Sequence, residues 1–412
     1  MENKETSIVI VGHIDHGKST LIGRLLYDTG SLSPDRMDEV RKVSKELGKD
    51  FEFAFLVDQL KEEREGELTI DTTQAFFKTK KRRYVIIDAP GHAEFIKNMV
   101  TGATQAEAAV MIISAEKGME EQTKRHAYIL SLLGMSRVIV AVNKMDCVGY
   151  DQSIYESVRR EAEEFLGRVG VKPSVFIPIS ASLGAGIAKK DKQMKWYGGP
   201  SLVDALDAVV PRKRHRERPL RFPVQDIYSI DGERILVGKV ASGEVRQGQT
   251  AKLLPADAEV TIESIKVFQE KRTQASEGEN IGLVVTTSAD IKRGDVICAN
   301  NNGPALTNRF KGNVFWMCEA PLSVGRTLTV RCATQEAFCT VQKIETRLDS
   351  STLEELGKDC RELGLNEVGV VIFESTAPVV VEKFSFVEEL GRFVLESGDT
   401  FLGSGTISHP GI

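Results

Sequence analysis

A chain of 412 residues is longer than one hydrophobic core usually supports, so two or three domains are expected. Hydrophobic residues make up 41% of the chain and charged residues 27%, a balance that is typical of globular proteins and excludes general disorder. The net charge of −5 excludes a basic field that would draw the whole molecule to nucleic acid or to a membrane, although a local basic face is compatible with it.

The sequence contains no run of 18 or more apolar residues, so no bilayer-spanning helix and no membrane partner are expected. Its first six residues are polar and lead directly into a strand-like run, which leaves no room for a signal peptide. The six cysteines lack the CxxC spacing of metal sites and are typical of reduced thiols. A cytoplasmic protein is therefore expected.

From residue 1 to about 210, short runs rich in Val and Ile alternate with amphipathic stretches. Predicted strands lie at residues 7–11, 84–87, 108–113, 138–142 and 175–179, and predicted helices include 122–133 and 153–168. Buried strands that alternate with helices indicate a mostly parallel sheet with helices on both faces. We therefore predict an α/β domain over residues 1–210.

Residues 12–19 have the pattern GxxxxGK[ST] and lie between the first predicted strand and a helix-like stretch. Its glycines permit backbone angles that direct N–H groups at phosphate oxygens, and a helix N-terminus adds positive potential. Lys18 is expected to reach the β- and γ-phosphates of a nucleoside triphosphate, and Ser19 to bind Mg²⁺. The candidate nucleotide-binding residues here are Gly12, His13, Asp15, His16, Gly17, Lys18, Ser19 and Thr20.

Two further segments predict the magnesium and γ-phosphate side of the same site. Thr69, in the charged segment 62–71, is the candidate switch threonine, which binds Mg²⁺ and the γ-phosphate only in the triphosphate state. Asp88 ends the strand at 84–87 and is expected to hold Mg²⁺ through water, while Gly91 allows a backbone N–H to approach the γ-phosphate. The predicted metal ligands are thus Ser19, Thr69 and Asp88.

His92, next to Gly91, is the candidate catalytic residue and would orient the attacking water. Ile14 and Leu68 are apolar residues that flank the same space in an otherwise polar site. We expect them to form a hydrophobic gate that holds His92 away until a partner moves them. Hydrolysis would then be slow in the isolated chain and fast in a complex.

Residues 143–146, Asn143-Lys144-Met-Asp146, end the strand at 138–142. The Asp146 carboxylate can accept hydrogen bonds from both guanine N1–H and the exocyclic amine, a donor pair that adenine lacks. Ser180, Ala181 and Ser182 follow the next strand and are expected to contact the base through backbone N–H groups. These residues predict guanine specificity.

Near residue 210 the character of the sequence changes. Residues 211–219 are charged and bracketed by prolines, which favours a solvated linker over an RNA contact. Short strands with Gly-containing turns follow at residues 237–241, 250–254, 260–267 and 281–285, a spacing typical of a β-barrel. A second boundary is expected at 300–304. We predict two all-β barrel domains, at residues 219–302 and 310–412.

With these motifs in this order and β-rich domains after them, the chain resembles the elongation-factor-Tu superfamily over essentially its full length. Residues 12–19, 88–92 and 143–146 match the signatures of that family residue by residue. The resemblance implies a GTPase domain followed by two barrels that rearrange when GTP is cleaved.

One branch of the superfamily is the GTPase subunit, subunit 1, of bacterial sulfate adenylyltransferase (ATP sulfurylase). Similar stretches lie at residues 21–28, 56–58, 125–126, 132–134, 196–200, 240–243, 290–295, 320–322 and 365–369. This branch implies that GTP hydrolysis drives adenylyl transfer from ATP to sulfate, with a separate small nucleotidyltransferase subunit in a heterodimer or larger assembly. The larger number of similar stretches favours this branch.

The alternative branch is the archaeal and eukaryotic type of elongation factor, whose partners are aminoacyl-tRNA and the ribosome. Its residues include His13 and His16, with further stretches at 223–226 and 390–393, whereas the sulfurylase subunit more often has Asp in place of His16. Both branches usually have Gly where Glu67 stands, before the switch threonine. A third hypothesis is a GTP-dependent assembly or regulatory module with neither activity.

Overall fold

The computed structural model describes residues 5–32, 53, 74–87, 106–209, 217–230, 232–267 and 270–412. The described residues up to 209 form one compact unit, and those from 217 onward form a second. In these described parts of the chain, no helix combines the length and the apolar character needed to cross a membrane.

The centre of the first unit is a six-stranded sheet. Its strands are β1 Glu5–Val11, β2 Gln74–Lys78, β3 Arg83–Ile87, β4 Ala108–Ser114, β5 Val138–Asn143 and β6 Pro173–Pro178. They lie in the order β2-β3-β1-β4-β5-β6, and all run parallel except β2, which pairs antiparallel with β3. Every residue of β4 and β5 is buried, as expected for parallel strands that are covered on both faces.

Helices in the described part of this unit contribute apolar faces to the core. They are α1 Lys18–Asp28, α2 Glu121–Leu132, α3 Gln152–Arg168 and α4 Leu202–Ala208. Helix α3 begins after Asp151, whose carboxylate accepts hydrogen bonds from the amides of Ser153 at 2.6 Å and Ile154 at 3.2 Å. These bonds satisfy donors that have no partner inside the helix.

Strand order decides where a ligand can bind. β1 lies between β3 and β4, so the later strands of the chain lie on both sides of it, and the strand order reverses at β1. The loops after neighbouring parallel strands therefore open a crevice at the carboxyl edge of the sheet, which is the usual ligand site of such sheets. The loops after β1, β5 and β6 carry three of the predicted motifs.

The second unit contains a first barrel. Its strands are β7 Arg221–Ile230, β8 Glu233–Lys239, β9 Glu244–Arg246, β10 Thr250–Leu254, β11 Ala258–Val267, β12 Glu270–Arg272, β13 Gln274–Ser276, β14 Asn280–Thr286 and β15 Val296–Cys298. The order β10-β15-β7-β8-β14-β11 closes because β10 also pairs with β11. Inward-facing residues such as Phe222, Leu253 and Ile262 fill its interior.

A second barrel follows in the same unit. Its strands are β16 Ala305–Trp316, β17 Leu322–Ser323, β18 Thr327–Cys332, β19 Gln335–Asp349, β20 Glu355–Cys360, β21 Glu362–Leu363, β22 Glu367–Val381, β23 Arg392–Ser397 and β24 Thr400–His409, with the short helix α5 Glu388–Gly391. The order β18-β23-β24-β16-β22-β19 closes through β18 and β19. Trp316 and three stacked or edge-packed phenylalanines form its core.

A buried ion pair joins the two barrels. The fully buried guanidinium of Arg221, on β7, donates to the carboxylate of Glu382, directly after β22, at 2.9 Å from Nε and 2.6 Å from Nη2. The same Nη2 donates to the carbonyl of Asn302 at 2.6 Å. Buried apolar residues surround this joint, among them Leu254 and Val380.

The predicted fold class is confirmed: an α/β domain with a mostly parallel sheet precedes two all-β barrels. The prediction began β6 at residue 175, but the strand begins at Pro173, since proline is tolerated at the first position of an edge strand. The short elements β2 and α4 were not predicted because five or seven residues carry little periodicity. The domain limits and the linker role of 211–219 stay predictions, because residues 210–216 lie outside the described ones.

Candidate functional site

The loop after β1 is shaped by two glycines. Gly12 has φ +151° and Gly17 has φ +91°, backbone angles that side chains disfavour. A Cβ at Gly12 would lie 2.5 Å from the Ile112 carbonyl oxygen on β4. The Lys18 ammonium donates to the Gly12 carbonyl at 2.6 Å and so closes the loop on itself. The backbone thus forms an open ring that suits a bound phosphate, and a side chain at Gly12 would obstruct this ring.

Helix α1 begins directly from this loop, with Gly17 as its N-cap residue. The amide groups of its first turn, which includes Ser19 and Thr20, therefore point toward the loop, and the helix dipole favours an anion there. Ser19 and Thr20 are both partly buried. Loop and helix together fit a bound phosphate chain.

Asn143, the last residue of β5, connects two of the predicted motifs. Its side-chain amide donates to the His16 carbonyl at 2.8 Å, and its side-chain oxygen accepts from the Ala181 amide at 2.8 Å. A Cβ at Gly17 would lie 2.6 Å from the Asn143 side-chain nitrogen, so only glycine permits this approach. Asn143, 3% exposed, thus holds the loops after β1 and β6 together.

Asp146 offers an acceptor that no described residue satisfies. Its Oδ1 atom is shielded from solvent and has no hydrogen-bond partner among the described residues, whereas Oδ2 accepts from the Ser182 hydroxyl at 3.4 Å. Because buried acceptors normally have partners, this oxygen fits a ligand donor such as guanine N1–H. Desolvation and then the Asp146 carboxylate raise the pKa of the neighbouring Cys147 thiol.

The loop after β6 lies beside this carboxylate. The hydroxyls of Ser180 and Ser182 are 3.1 Å apart, and Ser180 is buried while Ser182 is exposed. On the other side, Lys144 has a left-handed backbone, φ +64°, and its ammonium lies 3.8 Å from the Glu116 carboxylate. The structure therefore brings both predicted guanine motifs to one place.

Arg24 is a positioning residue that sequence reasoning missed. It lies on α1, where Nε donates to Asp28 at 2.8 Å, and its Nη1 donates to the Ser182 carbonyl at 3.3 Å. The guanidinium also lies so close to Gly184 that a Cβ there would collide with it. No local pattern marks this contact, because Arg24 and Ser182 are joined only by the sheet topology.

The two loop histidines differ in environment. His16 is fully buried, with Nδ1 3.2 Å from the Ile112 carbonyl and Nε2 2.7 Å from the Glu120 carboxylate. His13 is partly exposed, with Nδ1 3.5 Å from the same carboxylate oxygen. Burial lowers the pKa of the His16 imidazole, although the Glu120 hydrogen bond opposes the shift. His16 therefore anchors the loop and does not face its opening.

Ile14 and Asp15 lie on the exposed side of the loop. Ile14, half of the predicted gate, is 74% exposed. The Asp15 carboxylate lies 3.4 Å from the Lys117 ammonium. The other residues predicted for hydrolysis and metal binding, namely Leu68, Thr69, Asp88, Gly91 and His92, lie outside the described residues, as does Glu67. Of the predicted magnesium ligands, only Ser19 is described.

Comparison with known proteins gives the family. Residues 3–212 match the "Elongation factor Tu GTP binding domain", residues 233–298 match "Elongation factor Tu domain 2", and residues 309–408 match "GTP-eEF1A C-terminal domain-like". The chain belongs to the elongation factor Tu family of GTPases. Members of this family bind and hydrolyse GTP, which agrees with the phosphate cradle and the unsatisfied Asp146 oxygen.

Similar family members include three archaeal proteins, each named elongation factor 1-alpha. That of Metallosphaera sedula is 40% identical over 419 residues, covering 98% of this chain and 96% of the relative. That of Archaeoglobus fulgidus is 38% identical, covering 98% of both, and that of Methanoculleus marisnigri is 37% identical, covering 98% and 97%. These relatives favour the elongation-factor branch over the sulfate-activation branch that the sequence analysis preferred.

Proposed function

We propose that this protein is an elongation-factor-type translational GTPase that binds aminoacyl-tRNA in its GTP state and delivers it to the ribosome. The observation that carries the proposal is likeness to proteins named elongation factor 1-alpha along 97–99% of the chain, both barrels included. A likeness confined to the GTPase unit would support GTP binding alone. Because it extends through the barrels, it also supports the partner class.

Within this proposal the described loops bind GTP. The amides around Gly12 and Gly17, with Lys18, hold the phosphates, and Asp146 pairs with the guanine N1–H and amine. Lys144 and the segment Ser180-Ala181-Ser182 line the base. Mg²⁺, held by Ser19, Thr69 and Asp88, would neutralise charge on the β- and γ-phosphates. The glycine angles and the orphaned Asp146 oxygen support this assignment.

For hydrolysis we propose that His92 orients water and that Ile14 and Leu68 form the gate. We expect His92→Ala to lower single-turnover GTP hydrolysis by about 10²–10⁴-fold, the usual worth of a positioned acid–base group. GTP affinity should stay within twofold to threefold, since the purine and phosphate contacts lie elsewhere. Quenched-flow hydrolysis and a nucleotide titration measure the two effects. Equal hydrolysis rates in His92→Ala and wild type would contradict the role.

Retention of aminoacyl-tRNA tests the proposed function directly. The purified chain, loaded with a non-hydrolysable GTP analogue or with GDP, is mixed with aminoacylated or deacylated tRNA and passed over a size-exclusion column. We expect co-elution only of the aminoacylated form with the GTP analogue, weakening steeply with salt because phosphate contacts release counterions. Ribosomes with cognate mRNA should stimulate hydrolysis. Absence of both effects in a chain that binds GTP would overturn the proposal.

The same protein preparation tests the sulfate-activation branch against the translational one. GTP hydrolysis is measured with ATP and sulfate, with and without a small nucleotidyltransferase subunit, against the ribosome-stimulated rate. Stimulation only when ATP, sulfate and the subunit are all present would establish that branch and exclude ours. Stimulation by neither partner set, with a different protein co-purifying, would indicate a regulatory GTPase.

A further inference from the structure

Three metal-ligating side chains converge behind the phosphate-binding loop. One nitrogen each from His13 and His16 and one oxygen from Glu120 lie within 4.8 Å of one another. They belong to distant parts of the sequence, since Glu120 is the residue that precedes α2. His16 is completely buried, and His13 and Glu120 are about a quarter to a third exposed, with side-chain values of 26% and 30%.

Hydrogen bonding assigns the tautomer of each ring. His16 Nδ1 faces the Ile112 carbonyl at 3.2 Å, and because a carbonyl only accepts, Nδ1 carries the hydrogen. His16 Nε2 lies at hydrogen-bond distance, 2.7 Å, from the Glu120 oxygen, so a metal bound between them would replace the proton that the two atoms share. His13 Nδ1 accepts a hydrogen bond from the Asp15 amide at 3.4 Å and therefore carries no hydrogen; a metal bound there would take over this lone pair, 3.5 Å from the same Glu120 oxygen.

Two imidazole nitrogens and one carboxylate oxygen thus face one small space, where a single metal cation can bind all three. The Lys117 ammonium does not fill the space, since it lies 4.0 Å from the other Glu120 oxygen, Oε1, and closer to Asp15. The Ile112 carbonyl on the other ring nitrogen of His16 would fix the orientation of the ring, as a hydrogen-bond acceptor usually does for a metal-binding histidine.

We propose that His13, His16 and Glu120 form a transition-metal site, distinct from the magnesium site of the nucleotide. Two imidazole nitrogens and one carboxylate suit Zn²⁺ or Co²⁺, whereas Mg²⁺ prefers an all-oxygen octahedron. Tetrahedral metal bonds of about 2.0–2.1 Å set ligand atoms roughly 3.3 Å apart. The His13–Glu120 distance of 3.5 Å already fits, and the His16–Glu120 distance of 2.7 Å would lengthen on metal binding.

Metal binding here would fasten the phosphate-binding loop to the start of α2. In the described structure these side chains already link residues 13–16 to Glu120, and Lys117 lies between Asp15 and Glu120, at 3.4 Å and 4.0 Å. The inference is independent of the translational role, because it concerns the loop itself in any nucleotide state.

Co²⁺ titration of the full chain tests the site. The GDP-bound protein, with Mg²⁺ in large excess, is titrated with Co²⁺ and followed by the visible absorption that four-coordinate Co²⁺ shows, with Zn²⁺ competition as a check. We expect one Co²⁺ per chain and displacement by Zn²⁺. Magnesium in excess occupies the nucleotide site, so Co²⁺ bound there is excluded.

Matched variants locate the bound ion. Glu120→Gln and His13→Ala should weaken Co²⁺ binding by about tenfold to hundredfold or more, since losing even a hydrogen-bond partner of a metal ligand costs that much. Glu121→Gln, next in sequence but paired with Arg125, and His409→Ala, on an exposed strand end, should bind as wild type does. His16 is left unchanged because its burial puts folding at risk.

A spectroscopic measurement on the unaltered chain keeps the test decisive if a variant fails to fold. Bound Co²⁺ should shift and broaden the imidazole proton signals of His13 and His16 and leave that of His409 unchanged. Failure of the wild type to bind Co²⁺ at submillimolar concentration would overturn the proposal. Equal affinity in folded Glu120→Gln, His13→Ala and wild type would overturn it as well.

Discussion

At the scale of single residues, Asn143 shows how one side chain organises a nucleotide site. Its amide forms hydrogen bonds with the main chain of two loops that otherwise depend on separate strands. Both bonds are buried, so neither exchanges for a bond to water when it is lost. The side chain therefore sets the distance between the loops after β1 and β6, which we propose to bind the phosphates and the base.

We expect Asn143→Ala to weaken GDP and GTP binding by about tenfold to hundredfold, because each buried group left without a partner costs roughly 1–3 kcal/mol. Titration with a fluorescent GDP analogue measures the loss. Asn300→Ala is the control, since Asn300 is exposed and its side-chain amide donates to the Thr250 hydroxyl at 3.4 Å, away from the nucleotide loops. Wild-type affinity in Asn143→Ala would show that the loops hold their positions without the amide.

The Asp146 carboxylate supports a second prediction at this scale. Asp146→Asn replaces one acceptor oxygen by an amide donor, which opposes the guanine amine but pairs with the C2 carbonyl of xanthine. We expect a loss of GDP affinity of about 10² or more and a gain for xanthosine diphosphate. Competition titrations measure both, with Asp151→Asn as a charge-matched control. Unchanged preference for guanine in Asp146→Asn would remove Asp146 from the base site.

At the scale of elements, the start of a helix depends on the residue before it. α1 begins at a glycine whose φ of +91° allows the phosphate loop to turn into the helix, with no side-chain cap. α3 instead begins at Asp151, which caps it with three hydrogen bonds to Ser153 and Ile154. Of these two helices, the uncapped one, α1, is the helix whose first amides we propose to bind phosphate.

The cap of α3 predicts a pH dependence. Hydrogen bonds from Ser153, and then from the Ile154 amide, lower the pKa of Asp151. The stabilisation that the Asp151 cap gives is therefore fully present above the unfolded-state pKa of about 3.9. It is lost as the pH falls through the lower folded-state pKa. The Ser153 amide signal in NMR should titrate below that value in wild type and stay constant in Asp151→Asn, whose amide oxygen still caps. A midpoint at or above about 3.9 would contradict this.

At the scale of the whole molecule, the second unit is held together by more than its two barrel cores. The joint between the barrels contains the Arg221 guanidinium, which is fully buried and has three oxygen partners. Of these, only Glu382 carries the opposite charge. Such a pair adds little to the free energy of unfolding beyond what an apolar contact would give. Removing one partner is costly, however, because it leaves the other charge buried without its counter-charge.

We expect Glu382→Ala to destabilise the barrel unit by about 3–5 kcal/mol, because it leaves a buried guanidinium without its counter-charge. The chain has two tryptophans, so Trp196→Phe leaves Trp316, in the core of the second barrel, as the reporter of denaturant unfolding. Glu389→Ala is the control, since its pair with Lys239 at 3.5 Å is partly exposed and is worth about 0–1 kcal/mol. Equal midpoints for the two variants would show that the buried pair is not needed.

Local features of the sequence determined the fold class and most strands and helices of the GTPase unit. Short runs rich in Val and Ile mark buried strands, and these inferences succeed because propensity and periodicity act over a few residues. The residue types of the nucleotide site stay predictions, drawn from what a phosphate requires of the backbone at Gly12, Gly17 and Lys18.

Only the tertiary structure decided which distant side chains meet. His16 lies against Glu120, 104 residues away, Asn143 reaches the His16 carbonyl across 127 residues, and Arg221 finds Glu382 across 161. Such partners depend on which strands become neighbours when apolar faces pack together, and that pairing leaves no mark near either residue. For the same physical reason, the spacing of His13 and His16 predicts a place in a GTP-binding loop, but it does not predict that both lie against the Glu120 carboxylate.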